Sequence, residues 1–175
     1  MIERLTGEDA DLIIEDRWPQ RYDEDQIIAS ASHHRDVIAA TLSAAAQPQL
    51  QTARTEAQTA NAGVFAEAVA TKTGSHLRAS EDSEIRHRAV ADQLDAFAAA
   101  IVGAKNQING ASTTFTSEWA KAPELAKANN WYQHEYNAYR SQLVNAGRAT
   151  VTAALHQLTE AHQACSTTLL TALDV

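Results

Sequence analysis

At 175 residues and 18.9 kDa the chain has the size of a single domain, with enough volume to bury a core without disulfide or metal staples. Its 36 alanines, against 6 glycines, 3 prolines and 6% aromatic residues, favour helix and leave too few large β-formers for a sandwich or barrel. The formal charge is −8, and −6 of it falls in residues 1–25, where nine acids meet three arginines. A weakly acidic body without a Lys/Arg stripe disfavours nucleic acid and anionic lipid surfaces as partners.

Other classes fall away on pattern. No short Val/Ile run is followed by a glycine-rich turn, so a parallel α/β nucleotide-binding fold is not expected. No stretch reaches 18 uninterrupted apolar residues, which predicts no membrane-spanning segment. Residues 1–18, MIERLTGEDADLIIEDRW, carry acids where a Sec signal peptide has a basic start and an apolar core. The expected locations are therefore outside the cell by a route independent of such a signal, or the cytoplasm. The single cysteine, Cys165, cannot form an intrachain disulfide and reads as small core filler beside Ala161 and Leu169.

In chain order, residues 1–22 read as an acidic arm. Thr6-Gly7-Glu8-Asp9 resembles a capping box ahead of Leu12, Ile13 and Ile14, and Trp18-Pro19 stops the short helix. Residues 23–175 read as one helical bundle domain. Asp23 and Gln26 open a long helix whose stripe runs Ile27, Ala31, His34, Ile38, Leu42, Ala45. Beyond Pro48 the stripe resumes as Leu50, Ala53, Ala57, Ala60, Val64, Ala68 and Thr71, which leaves both a kink and a break open at the proline. Taken as one rod over 24–74, this helix would be roughly 75 Å long.

Gly74-Ser75 is expected to end that rod. Ser80, Glu81, Asp82 and Glu84 open a second helix over 82–108, with Ile85, Val90, Leu94, Phe97, Ile101, Ala104 and Ile108 inward. The run Asn109-Gly110-Ala111-Ser112-Thr113-Thr114 reads as a loop, followed by Phe115, Trp119 and a short piece over 120–128 that contains Pro123. Asn130 then caps a last helix to about 173, with Tyr132, Tyr136, Tyr139, Leu143, Ala146, Val151, Ala154, Leu158, Ala161, Cys165, Thr168 and Ala172 at three- and four-residue steps. The fold predicted is all-α: an elongated antiparallel bundle of three long helices with a short N-terminal helical arm.

Few residues suggest catalysis. Glu84-Ile85-Arg86-His87 is a Glu-x-x-His step, but a di-iron carboxylate bundle needs two such steps and two further glutamates. His156 and Glu160 sit four apart with His162 nearby and lack a third zinc ligand on that face. His33 and His34 diverge by about 100°, so at most one faces the core. No nucleophile elbow or P-loop is present, and no metal or organic cofactor is expected. Aromatic residues are more suggestive: Trp119 lies between helices, while Trp131, Tyr132, Tyr136 and Tyr139 open the last one. They serve either as a cap that seals the bundle end or as a tip that anchors another chain.

An alanine-rich helical chain with an acidic balance, no signal peptide and a Trp between helices resembles substrates of actinobacterial type VII (ESX) secretion, the WXG/PE-PPE-like superfamily. There a Trp-x-Gly turn meets a Tyr-x-x-x-Asp/Glu step in a composite export signal. This chain has Trp119-Ala120-Lys121 in place of the first, and Trp131-Tyr132-Gln133-His134-Glu135 in place of the second. His156-Gln157-Leu158-Thr159-Glu160 matches a His-x-x-x-Asp/Glu pattern near the C-termini of some members. The resemblance implies a non-enzymatic secreted substrate or targeting module, and Trp119, Trp131, Tyr132, Glu135, Tyr136, His156 and Glu160 as its recognition residues. Its partner would be a protein: a secretion chaperone, a helical partner or a second copy. The alternatives are a structural coiled-coil protein that self-associates along its alanine seams, and a carboxylate-bundle metal enzyme using Glu84, His87 and Glu135.

Overall fold

In the computed structural model, which describes residues 1–60 and 63–172, every regular element is helical and no strand occurs among the described residues. The elements are α1 (Glu8–Ile14), α2 (Glu24–Ser32), two wider π-helical stretches (His33–Ala39 and Leu42–Ala46), α3 (Gln47–Ala60), α4 (Val64–Ala120), α5 (Ala122–Ala128) and α6 (Gln133–Ala172). Two are long, at 57 residues for α4 and 40 for α6. The chain divides into two compact units. The first comprises Met1–Asp25 and Phe97–Ala164, the second Gln26–Ala96 and Cys165–Val175.

The first unit holds the larger side chains of the core. Phe97, Ile101, Ile108 and Phe115 on α4 are buried, as are Val151, Ala154 and Leu158 on α6. Tyr22, Phe97 and His162 form a ring triangle with centroids 5.6 Å apart, and Trp119 meets Tyr136 at 4.8 Å, so these stretches of α4 and α6 run in opposite directions. Across them lies the N-terminal arm. Gly7, at φ +116°, turns the chain into α1, whose Ile13 and Ile14 are completely buried. Ile13 sits so close to α6 that a Cβ on Gly147 would stand 2.9 Å from its Cδ1. Arg148 donates from two nitrogens to the Leu12 carbonyl, and Arg17 to the Ile13 carbonyl, so cations satisfy the acceptors that end α1.

Further along the arm, Lys105 lies at 2% exposure and donates to the Tyr22 carbonyl (2.9 Å) and to Glu24. Burial alone would raise the Glu24 pKa. Hydrogen bonds from Lys105, its own amide and the Ile2 amide, together with the Lys105 charge, bring it instead to about 2. A buried ion pair of this kind survives only because every polar atom has a partner.

The second unit is thinner. Its buried apolar residues include Ala31, Ala39, Ala66 and Ala91, with Val90, Leu94 and Cys165 as the larger members. Arg35 bonds Asp95 and Asp92, Gln47 bonds Glu84 (2.7 Å), and Arg54 lies over Gly74, so the chain before and after residue 61 runs in opposite directions here too.

The helical class agrees with the expectation from sequence, and several boundaries do not. Helix α4 passes unbroken through Gly74-Ser75, through Ser80 and through the supposed loop 109–114. Asn109 and Thr113 in that run find partners instead of a turn, while the buried Ser112 hydroxyl finds none among the described residues. The Asn109 side chain accepts from the Leu5 amide and donates to the Glu3 carbonyl, Thr113 bonds back to the Asn109 carbonyl, and Ala111 and Ser112 are buried. The reversal lies nearer Gly63, at φ +129°, a left-handed backbone that glycine adopts without cost.

Shifting the turn also breaks the expected stripe over 50–71: Val64, Ala68 and Thr71 are exposed, and the Ala60 side chain lies outside the described residues. Ile85 is exposed as well, at 66%. At Pro48 the helix does not stop, since α3 runs through it. The π stretch Leu42–Ala46 ends just ahead of it, widening the helix where the proline ring would press on the Ala44 carbonyl. The last helix ends at Ala172 among the described residues, its expected end at 173 lying outside them.

Candidate functional site

The aromatic cluster is built by two helix ends and the turn between them. Helix α5 closes with Asn130 at φ +52°, the Trp131 amide donating to the Ala126 carbonyl (2.9 Å) and the Asn130 amide to Lys127 (3.4 Å). This is a Schellman closure, so Asn130 ends α5 and does not cap α6 as its residue type suggested. The cap of α6 falls two residues later. Tyr132 offers its carbonyl to the Tyr136 amide (3.1 Å), and the Glu135 carboxylate accepts from the Tyr132 amide (2.7 Å). Glu135 therefore fills the third position of a capping arrangement, with its charge on the positive end of the helix.

On this frame the rings come together. Trp119, half-buried at the end of α4, packs on Tyr136 at 4.8 Å and lies near-parallel to Phe115 at 6.5 Å, with the Arg140 guanidinium 5.7 Å from its centroid. Trp131 packs on Tyr139 at 5.2 Å. Tyr132 stacks only on His134 and is 73% exposed. Each ring pair contributes about 1 kcal/mol beyond its buried area. Lys121 bonds Glu118 beside the cluster, and that bond and the carboxylate's charge hold the Lys121 ammonium above its usual pKa.

His156 and Glu160 stand elsewhere. They form an exposed i,i+4 pair at 3.6 Å, about 30 Å along α6 from Glu135 at 1.5 Å per residue. The helix does not bring them to the rings. The metal alternative fares differently at each of its residues. Glu84 accepts from Gln47 (2.7 Å) and Arg88 (2.9 Å), bonds that lower its pKa, and Glu135 is held by the Tyr132 amide. Among the described residues no group of three His, Cys, Asp or Glu side chains is placed to hold a metal ion. Cys165 is buried, and burial raises its thiol pKa.

Sequence reasoning missed two pairings. His87 meets His34 across the second unit, Nδ1 to Nδ1 at 2.9 Å, with ring centroids 5.1 Å apart. Such head-on nitrogens share one proton, one ring donating and the other accepting. Burial, then His87, then His33 lower the His34 pKa. The second is Glu24 with Lys105. A lysine on the apolar stripe, one residue after Ala104, was the available signal for it.

No helix among the described residues is long and apolar enough to cross a membrane. In comparisons with known proteins, no family model, no curated protein and no solved structure matches this chain.

Proposed function

We propose that this protein is a non-enzymatic helical module of the type VII secretion kind, a secreted substrate or targeting domain that engages a partner protein through its aromatic end. The observation that supports the reading is the pairing of Trp119 with Tyr136 and of Trp131 with Tyr139 between the end of α4 and the start of α6, with Tyr132 presented to solvent. A half-buried ring platform with one exposed ring orders few side chains on binding, and large rigid side chains of this sort carry most of the free energy of protein interfaces. Glu135 sets the turn that displays it. The finer expectations of three long antiparallel helices, an arm of residues 1–22 and a domain of 23–175 belong with this proposal, and small-angle scattering of the full chain tests them.

The decisive experiment follows the chain into culture filtrate in a host with the secretion system. Trp119→Ala should abolish export with expression unchanged, and Tyr132→Ala, which leaves the packed rings in place, should weaken capture of the partner about tenfold or more. Undiminished export of both variants overturns the reading. A second reading, self-association, draws on Ile28, Val37 and Ile85, which stay 45%, 51% and 66% exposed on the second unit. Light scattering that finds a stable dimer, lost on Ile85→Glu, favours it.

A further inference from the structure

The second unit carries a groove of about 670 Å³ between α3 and the first turns of α4. Arg54 and Arg78 line it with Gln58, Ser75 and Gly74, and Ala57, Ala66 and Ala70 supply an apolar wall. Arg54 lies over Gly74, its Nε 3.6 Å and Cζ 3.7 Å from where a Cβ would stand, and it is half-buried. Arg35 and Arg88 of this unit form ion pairs; among the described residues no carboxylate pairs with Arg54 or Arg78. Arg21 and Arg140 also lack a carboxylate among the described residues, but each lies over a ring, of Tyr22 and of Trp119, whereas Arg54 and Arg78 line one groove.

We infer that this groove binds a small phosphomonoester, its phosphate held between Arg54 and Arg78 and its apolar body against the alanine wall. Two guanidiniums match the nearly dianionic charge of a phosphate at neutral pH better than a single carboxylate, and their planar forks suit its oxygens. Ser75 spends its proton on the Thr71 carbonyl (3.1 Å), so the donors that meet the anion are the two guanidiniums and the Gln58 amide. Glu67, two turns before Gly74 on α4, sets the polarity of the groove. Its carboxylate repels the anion from the Gly63 end and leaves the stretch from Gly74 to Arg78 for the phosphate.

Titration calorimetry on the full chain tests this, with phenyl phosphate and inorganic phosphate as probes and amide shifts of Gly74 and Ser75 followed by NMR. Saturable binding is expected, tighter for phenyl phosphate, with Arg54→Gln and Arg78→Gln each weakening it about tenfold. Arg78 is exposed, so its variant keeps the fold, which circular dichroism checks. Absence of saturable heat and of shifts with both probes overturns the inference, as does an affinity that the double variant leaves unchanged. Equal affinity for the two probes overturns the assignment of the apolar wall.

Discussion

Three helical glycines show how differently one residue type can be used. Nothing stands within 4 Å of a Cβ added at Gly103 or Gly110, whereas at Gly147 the Ile13 Cδ1 and Cγ2 stand at 2.9 and 3.1 Å. Gly110→Ala should therefore stabilise the chain by about 1 kcal/mol through helix propensity alone. Gly147→Ala gains the same propensity but must push Ile13 away. That residue is fixed by the Arg17 bond to its carbonyl and by the Arg148 bonds to Leu12 before it. Overpacking costs about 1 to 3 kcal/mol, so the net effect is destabilising. Urea denaturation of the two variants should give midpoints shifted in opposite directions. The Gly147 contact was hidden in the sequence because the repeat pattern pointed to Ala146, which is exposed.

At the scale of elements, apolar spacing located helix interiors well and their ends poorly. Val90, Leu94, Phe97, Ile101, Ala104 and Ile108 are all buried as their spacing requires. The stop placed at Gly74-Ser75 failed because a long helix absorbs a glycine for about 1 kcal/mol when tertiary packing covers it, here with Arg54. The loop expected at 109–114 failed because Asn109 bonds the arm, some 100 positions away in sequence, and Thr113 bonds back within the helix. Of the aromatic site, the ring neighbourhood was legible from closeness in sequence. The roles of Glu135 and Asn130 were not, since capping depends on backbone angles that composition does not reveal.

The His34–His87 contact belongs to the same scale, because it joins the π-helical stretch after α2 to α4. Around it lie His33, the Arg35–Asp95 pair and the Glu84–Arg88 pair. Since the His34 pKa is lowered in the folded chain, the unfolded chain binds the extra proton first. The contribution of His34 is thus present above its ordinary value of 6.5 and is lost as the pH falls below it. The denaturation midpoint of the full chain should drop between pH 7.5 and 5.5, and His34→Gln should flatten that dependence. A variant that follows the parent at every pH would show that the imidazole pair does not set the slope.

For the molecule as a whole, the two units differ in what fills them. The first buries Ile13, Ile14, Phe97, Ile101, Ile108, Phe115, Val151 and Leu158, while much of the second is sealed by alanines, each of which removes about a third of the apolar area of a leucine. Length of helix does not compensate for that deficit, since most helical stability in water comes from packing. The second unit should therefore unfold at lower denaturant concentration than the first.

The placement of the chromophores makes this separation visible without labelling. Trp18, Trp119 and Trp131, and with them Tyr22, Tyr132, Tyr136 and Tyr139, all belong to the first unit, and the second contains neither residue type. Ultraviolet emission thus watches one half of the protein while far-ultraviolet ellipticity watches both. Two curves that fail to superimpose, with ellipticity falling first, would resolve the halves optically, and a single tryptophan introduced at exposed Phe65 would give the silent half a voice of its own.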